Sequence, residues 1–388
     1  MRFLTAGESH GPKLTAIIEG IPAGLSISAI EIDSELAKRQ LGYGRGKRMT
    51  IEQDHVEITS GVRKGRTLGS PITLVIENKD WKNWSSIMEI EENSQTNEEK
   101  YRLNKPRPGH ADLVGGIKYH QKDLRNVLER SSARETAIRV AVGAITKKLL
   151  KELGIELIGH VLVLGGIQAK RSEKLTIEQI SEKLTDSTVR TIDQTAEIKM
   201  KNRIDQAKQN GDTLGGTIEV VVEGVPIGLG SYVHWDQKLD AKIAQALMSV
   251  NAFKAVEFGM GSQLAYHSGS QVMDEITWNE LEGYVRKSNH LGGFEGGMTN
   301  GMPIIVRSTM KPLPTLYHPL QSVNIDTKES CSASVERSDC TAVPAASVIC
   351  EAVVATEIAK ALLDKFPNDS FAQMKKSVQN YREYTNKF

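Results

Sequence analysis

Apolar and polar positions along the chain follow two rhythms. Residues 14–20 and 217–224 are rich in β-branched and aliphatic side chains and end in Gly-x-Pro-x-Gly, which predicts strands closed by tight turns. Residues 71–77 and 303–307 read as further strands, each opened by a proline that suits a strand start or an edge. The helical rhythm appears after Ser28, where Ser28 and Glu31 form a capping-box pattern ahead of Ile32 and Leu36. It returns after Asp236 with Leu239, Ile243 and Leu247 on one face. Two closing helices are the clearest elements. Ile138, Ala141, Val142, Ile145 and Leu149 form one apolar stripe, and Val348, Ala352, Val353, Thr356 and Ala359 form another. Strand pairs joined by short turns beside long helices predict antiparallel sheets packed on helices, an α+β sandwich.

The same pattern occurs twice. Residues 7–25 (GESHGPKLTAIIEGIPAGL) and 211–229 (GDTLGGTIEVVVEGVPIGL) agree at seven of nineteen positions, at a constant offset of 204. Gly69, Pro71 and Ile72 recur as Gly301, Pro303 and Ile304; Lys105-Pro106-Arg107-Pro108 recurs as Lys311-Pro312-Leu313-Pro314; Glu129-Arg130-Ser131 recurs as Glu336-Arg337-Ser338. Turn residues recur in any chain, but four matches in one order predict a single domain of two similar halves. The expected halves are about 1–150 and 210–388, related by a pseudo-two-fold and joined by a spacer at 151–209. Residues 80–104, polar and acidic with two tryptophans, are expected to be an exposed excursion or a subunit contact.

Composition narrows the function classes. A formal charge of +1 gives no reason to expect binding to nucleic acid or to a membrane surface. No window approaches the roughly 18 apolar residues of a membrane span, and the N-terminal residues carry no apolar signal core. Cys331, Cys340 and Cys350 are odd in number and lack metal-ligand spacing, so no metal site is expected and a reducing cytoplasm fits.

Candidate chemistry lies in the loops. Residues 42–48 form a glycine-rich loop with Arg45, Lys47 and Arg48, preceded by Arg39. Glycine lets backbone approach an anion and arginine binds carboxylate or phosphate through paired donors, although a basic surface loop would read the same way. Neither a Rossmann nor a Walker A pattern is present. Gly7-Glu8-Ser9-His10-Gly11 fits Gly-x-Ser-x-Gly, but a serine-hydrolase elbow needs a strand–turn–helix context. Here a strand follows, so Ser9 and His10 fall on a turn, open to anion binding and proton donation or to a packing role. Residues 105–112 place His110 after a proline-stiffened loop, suited either to holding a catalytic side chain or to starting a helix near Ala111. Residues 129–135 set Arg130, Arg134, Ser131 and Ser132 before the long helix, where free backbone N–H groups favour an anion. The repeat copy exchanges a hydroxyl for Asp339, a possible base. Residues 251–254, 292–301 with five glycines, and 311–315 complete the special loops.

GESHG at 7–11, GYGRG at 42–46, RPGHAD at 107–112, ERSSARET at 129–136, GGFEGGMTNG at 292–301 and ERSD at 336–339 together resemble the chorismate synthase family over nearly the whole chain. Cys340 and His290 depart from residues common there, at positions without an expected catalytic role. The resemblance implies a β-α-β sandwich with internal two-fold character, usually a homotetramer. It implies elimination of phosphate from 5-enolpyruvylshikimate 3-phosphate to give chorismate, with reduced FMN required and no net redox change. His10 is then expected to protonate the departing phosphate, His110 to manage flavin protonation, and Asp339 to accept the ring proton. Ser9 and Ser132 would orient ligands, and Arg39, Arg45, Arg48, Arg107, Arg134 and Arg337 would clamp the anionic substrate. FMN would contact Arg130, Ser131, Ser132, Asn251, Ala252, Gly296, Lys311, Pro312, Leu313, Pro314, Thr315 and Arg337. A separate flavin reductase is the expected source of reduced FMN; these motifs leave open whether the chain itself uses NAD(P)H. The alternatives are a non-catalytic module that binds phosphorylated metabolites through its arginine loops, and a serine hydrolase using Ser9.

Overall fold

The structure, a computed structural model, describes residues 1–45, 53–91, 101–172 and 175–388. Its first half contains strands β1 (Arg2–Ala6) and β2 (Lys13–Glu19), helix α1 (Ala29–Gln40), and strands β3 (Val56–Ser60) and β4 (Ile72–Glu77). Helices α2 (Asp112–Tyr119), α3 (Arg125–Ser131) and α4 (Thr136–Glu152) follow. The chain continues through β5 (Glu156–Leu164), β6 (Ile167–Gln168), α5 (Ile177–Leu184), α6 (Gln194–Gln209), β7 (Gly216–Glu223), α7 (Leu239–Met248), β8 (Phe253–Phe258) and β9 (Ile304–Met310). Helices α8 (Val343–Lys365) and α9 (Phe371–Lys387) close it.

Among the described residues the strands form two principal sheets, ordered β1-β2-β4-β3 and β8-β9-β7-β5-β6, with antiparallel neighbours throughout. The run β2-β4-β3 in the first sheet has the same order as β7-β9-β8 in the second. Helix α4 packs on β2 and β4, α8 packs on β5 and β7, and the two helices pack on each other, so a helical layer lies between the sheets. The α+β architecture expected from the pattern is present.

Local chemistry explains the elements. The Ser28 hydroxyl accepts from the Glu31 backbone N–H while the Glu31 carboxylate accepts from Ser28, the full capping box that starts α1. In β2 the alternation puts Leu14, Ala16 and Ile18 in the core and leaves Ile17 exposed. Helix α8 is buried almost all round, because it is wedged between α4 and the second sheet. Gly143 of α4 makes that crossing possible: a Cβ there would lie 2.2 Å from the Cβ of Ala352.

One expectation is corrected here. The stretch 151–209 is more than a spacer, because β5 pairs with β7 along its length and supplies the second sheet with a strand. The short exposed strand β1 pairs with β2 at the sheet edge, where its five residues carried too little apolar pattern to announce it. No helix among the described residues is long and apolar enough to cross a membrane.

Candidate active site

Ser9 and His10 sit on the connection between β1 and β2. Ser9 is buried, and its backbone N–H donates to the carbonyl of Glu129 at 2.9 Å. Because the chain runs from this turn into an antiparallel strand, the nucleophile-elbow geometry is absent and the serine-hydrolase alternative has no support. The Glu129 carboxylate takes His10 twice: Oε2 accepts from the backbone N–H at 2.8 Å, and Oε1 lies 2.9 Å from Nδ1. Burial alone would raise the Glu129 carboxyl. Hydrogen bonds and charge from His10, with Arg125 behind, outweigh it and hold the group below its usual range.

The His10 ring stacks on Trp84 with centroids 3.7 Å apart and planes 23° from parallel. Trp84 belongs to the insertion expected at 80–104 to be an exposed excursion or subunit contact. Its ring instead backs a predicted catalytic histidine, because the turn at Trp81–Asn83 folds the insertion onto the β1–β2 connection. Arg125 lies over the same indole, 5.3 Å from its centroid. It reaches Glu129 and Glu336 at 3.3 Å each, so one guanidinium ties together the two copies of the Glu-Arg-Ser repeat.

The second histidine is held differently. His110 Nδ1 lies 2.6 Å from Asp112 Oδ1, and Arg107 donates to the same carboxylate through Nε at 2.8 Å and Nη2 at 3.0 Å. Burial pushes Asp112 up, but His110 and Arg107 outweigh it and leave the carboxyl far below the ordinary range. Arg107 also donates to the Thr315 hydroxyl at 2.8 Å, which joins the His110 loop to the repeat-related loop at 311–315. The Lys311 backbone N–H donates to Ala252, and the Asn251 amide donates to the Ser131 carbonyl at 2.9 Å. Thus loops from both halves meet.

The arginines divide into three groups. Arg39 is buried and donates to the Thr136 hydroxyl and the Ala133 carbonyl; Arg134 donates to Asp54 at 2.7 Å, with Arg39 3.9 Å from the same carboxylate. Two guanidiniums thus gather on one carboxylate at the start of α4. Arg45 pairs with Asp339 at 2.8 Å, which brings a first-half arginine onto the predicted base of the second half. Arg337 is exposed on the same loop as Asp339. Arg48 and Lys47 lie outside the described residues.

The remaining motif residues lie at a helix end and in turns. Arg130 and Ser131 end α3, ahead of the long helix, because Ser132 is extended and breaks the helical run. Ser132 instead caps a short turn, its hydroxyl accepting from the Arg134 N–H. Arg130 folds back to donate to the Gly7 and Thr5 carbonyls. Gly296 sits in the tight turn between Phe294–Glu295 and Met298–Thr299, where a Cβ would lie 3.7 Å from the Tyr232 side chain.

This constellation coincides with what the whole chain resembles. The chorismate synthase family model matches residues 1–363. The chain belongs to the chorismate synthase family. The chorismate synthases of Enterococcus faecalis and Listeria welshimeri are 68% and 60% identical to it over 388 residues, with both proteins covered in full. A solved crystal structure of chorismate synthase superposes with a TM-score of 0.81 at 44% identity, over 100% of this chain and 98% of that one. The activity is therefore that of a chorismate synthase, a lyase of the shikimate pathway.

Within that family reading, the sequence motifs named both histidines and Asp339 but gave no role to Glu129, Trp84, Arg125, Asp112 or Asp54. Glu129 stood inside a repeated Glu-Arg-Ser motif, and that repetition was the available signal. Trp84 carried none.

Proposed function

We propose that His10, His110 and Asp339 carry the anti-1,4-elimination of phosphate from 5-enolpyruvylshikimate 3-phosphate, giving chorismate. The observation that carries the reading is the convergence of both repeat copies, through Arg125 onto Glu129 and Glu336 and through Arg45 onto Asp339. The C–O bond to phosphate breaks with its electron pair leaving on the phosphate, Asp339 takes the ring proton, and the C–H pair forms one double bond while the existing ring double bond shifts to the carbon that loses phosphate. His10 delivers a proton to the departing phosphate, and His110 with Asp112 holds a second proton near the cofactor. Ser9 and Ser132 orient the ligands. Arg39, Arg45, Arg48, Arg107, Arg134 and Arg337 offset the repulsion among the substrate's anionic groups and stabilise charge growing on the leaving phosphate.

The donor set fits a phosphate-bearing cofactor. Burial, and then repulsion from Lys254, push the Lys311 amine below its usual range, and among the described residues no carboxylate pairs with either lysine. Ala252 adopts a left-handed backbone (φ 73°) beside Asn251, a conformation that an alanine holds at some energetic cost. Lys311–Thr315, Asn251, Ala252, Arg130–Ser132 and Arg337 would hold reduced FMN, with Gly296 assigned to it on the family pattern alone. Reduced FMN, when bound, supplies electron density transiently as the C–O bond breaks. The same reading makes the two halves an internal duplication and the protein a cytoplasmic homotetramer supplied with reduced FMN by a separate reductase. The uncovered face of the first sheet, with Leu4 and Ile17 exposed, is available to subunit contact.

Anaerobic phosphate release with chemically reduced FMN tests the reading. Wild type is expected to turn over, with His10→Ala and Asp339→Ala each slower by about 100-fold or more. No release by wild type holding FMN and substrate would overturn it.

A further inference from the structure

We propose that Glu129 is the positioning residue that fixes the plane and the tautomer of His10, with Trp84 as the backing of the ring. The inference rests on the reading of His10 as a proton donor. Glu129 is buried and arrives from α3, yet it grips both the backbone N–H and Nδ1 of a residue 119 positions away. Rotation of the imidazole would break the contact at Nδ1 and the stack on Trp84 together. The carboxylate is itself held by Arg125, which donates to the Tyr101 carbonyl at 2.7 Å and bridges to Glu336. An ionised carboxylate only accepts, so Nδ1 carries its hydrogen toward Glu129 and Nε2 is the nitrogen that exchanges a proton with substrate. This arrangement resembles the carboxylate–histidine couples that hold a general acid or base in one orientation.

The isosteric change Glu129→Gln separates positioning from bulk. Glutamine has one acceptor and one donor where glutamate has two acceptors. If its oxygen keeps the His10 backbone N–H, its NH₂ faces Nδ1 and drives the hydrogen to Nε2. A ring bonded in that way cannot gain a second proton at Nδ1 without losing the contact, so it is a poor acid.

The test combines ring ¹⁵N spectra of histidine-labelled enzyme, with His10 assigned by its loss in His10→Ala, and steady-state kinetics under reduced FMN. In Glu129→Gln the His10 ring is expected to change tautomer, kcat to fall by about 100-fold, and KM to stay within about threefold. In a His10→Ala background the same change should have little further effect. An unaltered ring signature with unaltered kcat overturns the proposal, as does an equal loss in both backgrounds, which would mark Glu129 as merely structural. A changed tautomer with wild-type kcat keeps the positioning role and removes the proton-donor reading of His10. Glu129→Asp supplies a second variant: one methylene shorter, it cannot span both atoms, and kcat should fall by about tenfold. Wild-type kcat in that variant would also overturn the proposal.

Discussion

Among the described residues two histidine–glutamate pairs occur, and they live in opposite surroundings. At the candidate site, His10 and Glu129 are joined across loops, and the imidazole keeps 12% of its surface exposed. In the second sheet, His160 Nε2 lies 3.0 Å from Glu219 Oε1 with both side chains enclosed, at 0% and 1% exposure. There the three residues stand side by side on neighbouring strands, His160 opposite Glu219 and Glu219 opposite Arg307. The Glu219 carboxylate accepts from Arg307 at 2.7 Å and from the Ser172 hydroxyl at 2.6 Å, and Arg307 also donates to the Gly259 carbonyl. Both pairs join a ring nitrogen to a carboxylate, Nδ1 in the first and Nε2 in the second. What differs is access: a ring that keeps part of its surface exposed can pass a proton to a ligand, whereas a fully enclosed pair, its carboxylate also held by Arg307 and Ser172, holds strands together.

The largest expected effect breaks the first pair. His10→Ala should lower kcat by about 10²- to 10⁴-fold with thermal stability close to wild type, as read by anaerobic phosphate release and calorimetry. Breaking the second pair should do the reverse. Glu219→Gln leaves Arg307 buried without its counter-charge, so unfolding free energy should fall by about 3–5 kcal/mol while kcat per folded enzyme holds, as denaturant titration would show.

Acid sharpens the contrast. Burial raises the Glu219 carboxyl, but His160, Arg307 and Ser172 outweigh it and set its folded pKa at about 2, against an ordinary 4.5. A depressed carboxylate stabilises the fold fully above its unfolded value and loses that contribution as pH falls from 4.5 toward 2. The loss should be on the order of 3 kcal/mol, and Glu219→Gln should flatten this part of the stability profile. The smallest effect concerns the backing ring. Trp84→Ala removes a stack worth about 0.5–1.5 kcal/mol and should lower kcat by about tenfold without altering the acid profile. A loss confined to stability would return Trp84 to an ordinary packing role.

Local chemistry made much of the fold legible. The Ser28–Glu31 capping box, the alternation in β2 and the stripes of α4 and α8 are all short-range patterns, and each appears where it was expected. Strand β5 was hidden because its hydrogen-bond partner, β7, lies far along the chain and no repeat copy pointed to it. The site divides in the same way. His10, His110, Asp339 and the arginines stand in motifs of characteristic composition, but the partner of each is set by tertiary packing. Glu129 meets His10 across 119 residues, and Arg45 meets Asp339 across the two halves. Trp84 lay in an acidic insertion whose composition suggested an exposed excursion or a subunit contact, and the turn before it brings the indole under the imidazole.

The most direct test of the account runs Glu129→Gln and Glu219→Gln side by side, measuring kcat under reduced FMN and the unfolding midpoint of each. The prediction is a large fall in kcat with a preserved midpoint for Glu129→Gln, and a lowered midpoint with preserved kcat per folded enzyme for Glu219→Gln. The reverse assignment, or equal losses of both kinds in both variants, would contradict the division between a catalytic pair and a structural one.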